Sequence, residues 1–305
     1  MHKQNLKILV AFDGSDLAIE AVKYVALLMP SAYTEVVLFF VENSMSNGFL
    51  QSNQDMDFRF KAANLRACIT DQHKRINAAM DKAARFLMEA GFPSKAVIKK
   101  IQPKNLSIVN DIQRESQDGY DAVVMGRTGE SRLKDMLLGS VPTKLLKKIQ
   151  GIPMIIVGGT PRENRILVAF DGSKEIMRAV KAMSNLIGAS DCKVSFCHVF
   201  KPQGVFAKEG DIQWKEDERK RIEPTINKAK ECLIDSGFSF NQLCCEIIDE
   251  NGDLATSIIN KANEENFSTI VIGRRGLSVY QEFITTRVGE KIFKQAEHLT
   301  VWVFG

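Results

Sequence analysis

The sequence has no long apolar run, no strong charge of one sign and no recognisable leader, and each absence argues against a class of protein. Its apolar runs, such as Val36 to Val41, are the length of a strand, whereas a membrane-spanning helix needs about 18 apolar residues. The net charge is +4 and basic residues are intermixed with acidic ones, which does not indicate a nucleic-acid surface. The first residues, MHKQNLKILVAF, contain no charged-then-apolar segment with a cleavage site. We therefore predict a cytoplasmic protein with no membrane span and no nucleic-acid partner.

Cysteines are present, but not in the patterns of zinc sites or disulfide frameworks. Of the six cysteines, Cys68 lies in the first half and the others crowd the second half, without a CxxC pair or a cluster of His and Cys: Cys192, Cys197, Cys232, Cys244 and Cys245. The pattern is typical of free thiols in a reducing compartment. A redox role for the adjacent pair Cys244-Cys245 is the remoter alternative.

Catalytic motifs are lacking as well. The P-loop pattern GxxxxGK followed by Ser or Thr is absent, which disfavours a P-loop ATPase. The four histidines are scattered, and no Ser/His/Asp or Cys/His set stands out: His2, His73, His198 and His298. We therefore predict no dedicated catalytic residues and no metal ligands.

What the sequence does contain is an internal repeat. The segment KILVAFDGSDLAIEAV, which begins at Lys7, returns as RILVAFDGSKEIMRAV at Arg165, so that Asp171 stands 158 residues after Asp13. A period of this size indicates two domains of one fold, because solenoid repeats run only about 20 to 50 residues. Turn-forming residues, GGTPREN at 158–164, lie between the copies. We predict domains 1–160 and 161–305.

Strand and helix patterns alternate along both copies. In the first copy, β-rich runs at 7–11 and 35–41 are separated by helical spacing, and the longest helical pattern runs from Phe58 to Ala90. Strict alternation predicts an α/β fold of two tandem doubly wound domains, Rossmann-like, each a five-stranded parallel sheet with helices on both faces. Ligands of such sheets bind at the carboxyl ends of the strands, near the reversal in strand order.

The stretch VVMGRTGESRLKDMLLGS, Val123 to Ser140, is the strongest candidate for a binding site. It contains Gly126, Gly129 and the pair Gly139-Ser140 directly after an apolar run. Glycines allow a backbone to approach a ligand closely, and a helix that begins there offers unpaired N–H groups to an anion. These residues alone leave two interpretations open: a phosphate-binding loop, or an ordinary turn between a strand and a helix.

Taken together, the opening ILVAFDGS, a second strand that ends at Val41, and MG-x-x-G followed nine residues later by GSV resemble the universal stress protein family in its tandem, two-domain form. The resemblance extends over essentially the whole chain. It implies an adenine-nucleotide-binding fold, of the type shared with the adenine nucleotide alpha hydrolases. It also implies pairing of two domains through their last strands, either as a homodimer or as a pseudo-dimer within one chain.

The resemblance implies a role for each matching residue. Asp13 and the backbone of Val41 would hold the adenine, Met125 and Gly126 would line the ribose, and four residues would hold the phosphates: Gly129, Gly139, Ser140 and Val141. The expected ligand is ATP, with ADP, AMP and an accompanying Mg²⁺ left open. The alternative for Asp13 is a turn or helix-capping residue. Arg127 is either a phosphate neutraliser or a solvated surface residue.

The second copy departs from the motif at its end. Asp171, Val199, Gly273 and Gly276 persist, but Thr286-Arg287 stands in place of a Gly-Ser pair. A β-branched Thr obstructs the close backbone approach that glycine permits. We therefore predict a degenerate second site, with another anion left open by three arginines: Arg274, Arg275 and Arg287.

The function predicted from these features is a regulatory ATP-binding module of the stress response and not a dedicated catalyst, with slow hydrolysis of ATP left open. Two alternatives belong to other classes. One is an ATP-dependent ligase or nucleotidyl enzyme of related architecture, although the two repeats use up the chain and leave no further substrate domain. The other is a nucleotide-free scaffold whose last strands serve dimerisation.

Overall fold

The structure is a computed structural model that describes residues 5–42, 56–128, 138–160, 164–188, 190–200, 211–249, 253–273 and 287–304. The strands are β1 (Leu6–Ala11), β2 (Thr34–Glu42), β3 (Val97–Pro103), β4 (Ala122–Gly126), β5 (Met154–Val157), β6 (Arg165–Ala169), β7 (Lys193–Phe200), β8 (Leu243–Asp249), β9 (Thr269–Gly273) and β10 (Thr300–Phe304). The helices are α1 (Asp16–Leu28), α2 (Met56–Glu89), α3 (Ile108–Glu115), α4 (Ser140–Lys148), α5 (Lys174–Ile187), α6 (Asp211–Asp235), α7 (Leu254–Glu264) and α8 (Arg287–Gln295). Within the described ranges, no helix is both long and apolar enough to cross a membrane.

The strands form one ten-stranded sheet, in the order β3-β2-β1-β4-β5-β10-β9-β6-β7-β8. Each half, β1–β5 and β6–β10, is an all-parallel five-stranded sheet, so the predicted fold class is confirmed. The two sheets join through the antiparallel pair β5 and β10, where Ile155 lies opposite Trp302. Of the two pairings implied by the resemblance, the structure contains the one within a single chain.

Helices cover both faces of the sheet, which explains the continuously apolar strands. Side chains of α1, α2, α5 and α6 pack in one core cluster, and side chains of α3, α4, α7 and α8 pack in the other. A strand covered on both faces has no solvent side, and accordingly Val36 to Val41 of β2 are all buried. The strand order reverses between β1 and β4 in the first half and between β6 and β9 in the second. The carboxyl ends of these strands are therefore where a ligand is expected.

A buried hydrogen-bond network crosses the join between the halves. Tyr24 of α1 has no exposed surface, and its hydroxyl lies 2.6 Å from Thr269 Oγ1 of β9. Trp302 of β10 donates from its indole Nε1 to the same hydroxyl at 2.7 Å. Tyr24 belongs to the first half, and its two partners belong to the second. The seam is thus held by specific polar contacts in addition to the strand pairing.

Candidate functional site

The recurring Asp-Gly-Ser phrase forms the same turn at the carboxyl end of β1 and of β6. Asp13 Oδ1 accepts a hydrogen bond from Ser15 N at 3.0 Å, Gly14 has φ of +82°, and the Ser15 hydroxyl caps α1 by accepting from Ala18 N at 3.2 Å. In the second half, Asp171 Oδ1 accepts from Ser173 N at 2.9 Å. The phrase therefore has a local structural purpose in both halves. Asp13 itself is half-buried at the edge of the sheet, where a ligand is expected.

The backbone of Val41 extends past the described end of β1 at the carboxyl edge of the sheet. Phe12 N donates to Phe39 O at 2.9 Å, so the peptide groups of Phe39 point towards β1. Along a strand the peptide groups of successive residues point alternately to the two neighbouring strands, so those of Val41, two residues after Phe39, also point towards the β1 side. β1 ends opposite Phe39, so no β1 residue pairs with Val41 in the described part of the chain. An N–H and a carbonyl in this position can read the hydrogen-bonding edge of a planar base.

Met125 and Gly126 end β4, beside β1. The Met125 side chain is buried in the core, so only its main chain is placed to contact a ligand. At Gly126, an added Cβ would lie 2.8 Å from Leu17 Cβ and 2.9 Å from the Leu17 carbonyl carbon. Gly273 has the same relation to α5, since its Cβ would lie 2.9 Å from Ile176 N. The glycine retained in both halves is thus explained by helix packing, whether or not a ligand binds.

The helix α4 begins with an amino terminus that no side chain caps within the described residues. Its N-cap is Gly139, and the first helical bond runs from Thr143 N to Gly139 O at 3.1 Å. Pro142 has no N–H, so the donors left at this end are the N–H groups of Ser140 and Val141 and the exposed Ser140 hydroxyl. These donors and the helix dipole together suit an anion. Gly129 lies outside the described residues.

The segment after β4 closes onto the start of α4. Gly139 N donates to Arg127 O at 2.9 Å, and an added Cβ at Gly139 would lie 3.2 Å from that oxygen and 3.3 Å from Thr128 Cα. The structure therefore brings Gly126 and the Gly139–Val141 segment together at the carboxyl end of β4. Asp13 lies next to them along the sheet edge, because β1 pairs with β4.

Arg127 does not point into this edge as a phosphate neutraliser, and it is not solvated. Only 4% of its surface is exposed, and its Nη2 donates to Ala296 O at 2.7 Å, while Nη1 donates to Phe293 O. Both acceptors lie at the carboxyl end of α8, in the other half of the chain. Burial lowers the pKa of Arg127 to about 10, and the nearby Glu297 opposes this shift, so the guanidinium is charged at neutral pH. Sequence reasoning missed this contact.

Sequence reasoning also missed two His–Glu pairs near the sheet edge. The glutamate lies on the strand in one pair, and the histidine lies on the strand in the other. In the first half, Glu42 at the end of β2 pairs with His73 Nε2 on α2. In the second half the histidine is on the strand, where His198 Nδ1 lies 2.8 Å from Phe170 O and Nε2 lies 2.7 Å from Glu218 Oε1 of α6. The nearby Arg221 and then His198 lower the pKa of Glu218 to about 2. No spacing rule in the sequence links these residues.

The second half does not reproduce the described site. Asp171 is exposed, whereas Asp13 is half-buried, and the Ser140-equivalent Arg287 begins α8. Four residues of the predicted degenerate motif lie outside the described part of the chain: Arg274, Arg275, Gly276 and Thr286. The two halves therefore differ at the acidic residue and at the helix start.

The described residues contain no cluster of His, Cys, Asp or Glu that could hold a metal ion. The five cysteines of the second half are free thiols. Burial raises the pKa of Cys197 to about 12, and burial also raises the pKa of Cys192 and Cys245. A protonated thiol is a poor nucleophile and metal ligand, so the arrangement does not favour thiolate chemistry at these positions.

Comparison with known proteins gives a consistent assignment for both halves. The sequence profile of the universal stress protein family matches residues 5–158 and again residues 163–304. Universal stress protein YxiE of Bacillus subtilis (strain 168) is 29% identical over 139 residues, which are 42% of this chain and 90% of that protein.

Two solved structures superimpose along nearly the whole chain. A universal stress protein from Archaeoglobus fulgidus DSM 4304 has a TM-score of 0.62 and 19% identity, covering 99% of this chain and 98% of its own. A protein of unknown function from Pseudomonas aeruginosa PAO1 has a TM-score of 0.54 and 18% identity, covering 98% of this chain and 92% of its own. At these identities the likeness supports the fold and nothing finer.

Proposed function

Because the chain belongs to the universal stress protein family, with one family match in each half, we propose that its first half binds an adenine nucleotide, in the first instance ATP. The observation that carries the proposal is the start of α4, where no side chain among the described residues caps the N–H groups of Ser140 and Val141 and the Ser140 hydroxyl is exposed. Side chains cap other helices of the chain, for example Ser15 on α1 and Ser107 on α3. A phosphate is the group that such an end would accept.

The residues at the edge fit the rest of the nucleotide. The outward peptide groups of Val41 suit the hydrogen-bonding edge of adenine, and the Asp13 carboxylate can accept from an exocyclic amine. The main chain of Met125 and Gly126 lies between these groups and the start of α4, which is where a ribose would sit. Gly129 belongs to the proposed phosphate site on its sequence position alone. ADP, AMP and Mg²⁺ stay open as parts of the same proposal.

The proposed role is regulatory. Among the described residues we find no activated nucleophile: the thiols with shifted pKa values are protonated, and the two His–Glu pairs lack a neighbouring Ser or Cys nucleophile in hydrogen-bond contact. We therefore propose that nucleotide occupancy changes the chain's surface for a partner in the stress response, in the cytoplasm. The second half is proposed as a partner domain with a degenerate site, and the division at 160/161 stays a prediction.

The variant Ser140→Asp separates binding from folding. An acidic residue in the first turn of a helix is favourable for the helix, by about 0.3–1 kcal/mol. The same charge repels a phosphate, so we expect ATP affinity to fall by at least about tenfold while the melting temperature stays level or rises. Calorimetric titration with ATP and thermal unfolding measure the two quantities. The matched control is Gln150→Glu, which adds the same charge just beyond the opposite end of α4.

Three outcomes would contradict the proposal or part of it. Equal ATP affinity in Ser140→Asp and the wild-type protein would remove the start of α4 from the site. No ATP binding by the wild type, together with no nucleotide released from purified protein in mass spectrometry, would favour the nucleotide-free scaffold. Release of AMP and pyrophosphate with an acceptor would favour the ligase alternative.

A further inference from the structure

Arg127 makes hydrogen bonds in both halves of the chain. Its main chain is part of the segment that closes on the start of α4, because its N–H donates to Val157 O and its carbonyl accepts from Gly139 N, both at 2.9 Å. Its side chain leaves that segment and ends on the last turn of α8, in the second half. The guanidinium also lies 5.7 Å from the centroid of the Phe293 ring. One residue therefore joins the candidate phosphate site to the other half.

The contact between Arg127 and α8 is suited to pass a displacement of Arg127 on to the helix. A helix leaves its last carbonyls without partners, and a buried guanidinium is a good donor to them because it offers several N–H groups in a rigid plane. Removing it takes the arginine donor from Phe293 O and leaves Ala296 O with the longer bond from Leu299 N, at 3.2 Å, and bending it away needs the same loss. A displacement of Arg127's peptide group is thus passed to α8 instead of being absorbed by a mobile side chain.

The helix α8 leads from this contact to the second half's own sheet edge. Its first residues, Arg287 and Val288, stand 147 residues after Ser140 and Val141, at the position of the degenerate motif. Along its length Lys291 pairs with Asp253, the N-cap of α7. A shift of α8 would therefore reach the start of α7 and the second sheet edge.

We propose that Arg127 is a positioning residue that couples the phosphate-binding segment of the first half to α8 of the second. Nucleotide binding in the first half would then shift α8 in the second half. The observation that carries it is the pair of bonds from one buried arginine, main chain to Gly139 and side chain to Ala296. The proposal rests on the proposed nucleotide site for its ligand, but its structural link can be tested without a ligand.

Hydrogen exchange measured by mass spectrometry on the full chain tests the coupling. In the wild type, we expect ATP to slow exchange in peptides from residues 122–128 and 138–146 and also in residues 287–299. In Arg127→Met, ATP should still slow the first set but not the second. Arg127→Lys, which keeps the charge but loses the two-pronged donor, serves if the Met variant does not fold. Arg178→Met, at an exposed arginine on α5, is the control.

The nucleotide-free samples give a second, independent arm. There, Arg127→Met should speed exchange at both ends of the contact, by about tenfold, the factor expected for the loss of a hydrogen bond to a charged group. A speed-up confined to 287–299, or equal ATP protection of α8 in variant and wild type, overturns the coupling. If ATP slows no segment of the wild type, the proposed nucleotide site fails, and the nucleotide-free arm still decides whether Arg127 links the two segments.

Discussion

Replacing Tyr24 by phenylalanine removes one hydroxyl from the seam between the halves, and we expect it to lower the free energy of unfolding by about 2–3 kcal/mol. The hydroxyl accepts from Trp302 Nε1 at 2.7 Å and lies 2.6 Å from Thr269 Oγ1. Burial raises the pKa of Tyr24 well above its usual range, so the hydroxyl keeps its proton and can donate to Thr269. The indole N–H is a donor with no second option. Without an acceptor it costs about 1–3 kcal/mol, and the loss at Thr269 adds to this.

A double-mutant cycle with Trp302→Phe isolates the interaction. Trp302→Phe removes the donor and some packing volume, so its own cost is larger than the hydrogen bond alone. In the double variant neither polar group remains, and we expect the combined cost to fall short of the sum by about 1–2 kcal/mol. Denaturant unfolding followed by far-UV circular dichroism gives each value without depending on the tryptophan signal.

The control is Tyr120→Phe, which removes a hydroxyl that donates to Glu115 Oε1 at 2.7 Å within the first half. It should destabilise the chain but add independently to Trp302→Phe. The reasoning about the seam is refuted if Tyr24→Phe costs less than about 0.5 kcal/mol, the range of ordinary surface changes, or if Tyr24→Phe and Trp302→Phe are additive.

Two further predictions concern the second half. Arg221 and His198 hold the pKa of Glu218 at about 2, below its usual value of 4.5. The ionised carboxylate therefore stabilises the fold above about pH 4.5, and this stabilisation is lost as the pH falls towards 2. In urea unfolding at pH 7, Glu218→Gln should therefore be about 1 kcal/mol less stable than the wild type, after allowance for partial exposure. This difference in the free energy of unfolding should become smaller at pH 3–4, and a difference that does not change with pH contradicts the assignment. Gly273→Ala should cost about 1–3 kcal/mol by thermal unfolding, as Gly126→Ala should, because its Cβ would press on the Ile176 main chain; a neutral Gly273→Ala would mean that helix packing does not explain the retained glycine.

Much of the fold was predictable because the sequence repeats a local pattern whose meaning is physical. Apolar runs of strand length alternate with helical spacing in both copies, and this alternation fixes a parallel sheet covered on both faces. The join between the halves was implied only by the family resemblance. No sequence pattern in β5 or β10 predicts an antiparallel partner, because both strands are short and wholly buried.

The candidate site was predictable where the residues have local consequences, and not where they act at long range. Asp13, Gly126 and Gly139-Ser140 stand at strand ends or at a helix start, which a pattern can locate. Arg127 was not predictable, because a loop arginine carries no local sign of whether it reaches solvent, a phosphate or a helix end 169 residues away. The repeated Asp-Gly-Ser phrase shows the converse limit: its turn and cap explain the repetition in both halves without any ligand.

The polar seam favours pairing of the two halves with each other over pairing of each half with its own kind. The seam has no second, symmetry-related copy of this hydrogen-bond network, because the equivalent residues are apolar: Ala182 for Tyr24, Ala122 for Thr269 and Ile155 for Trp302. Two second halves paired through β10 would place each Trp302 N–H and Thr269 hydroxyl against an alanine. Two first halves paired through β5 would leave each Tyr24 hydroxyl against Ala122. Either pairing leaves buried polar groups unsatisfied, each costing about 1–3 kcal/mol and each occurring twice. The heterotypic pair within one chain satisfies them, and it also gives the Arg127 side chain its acceptors on α8.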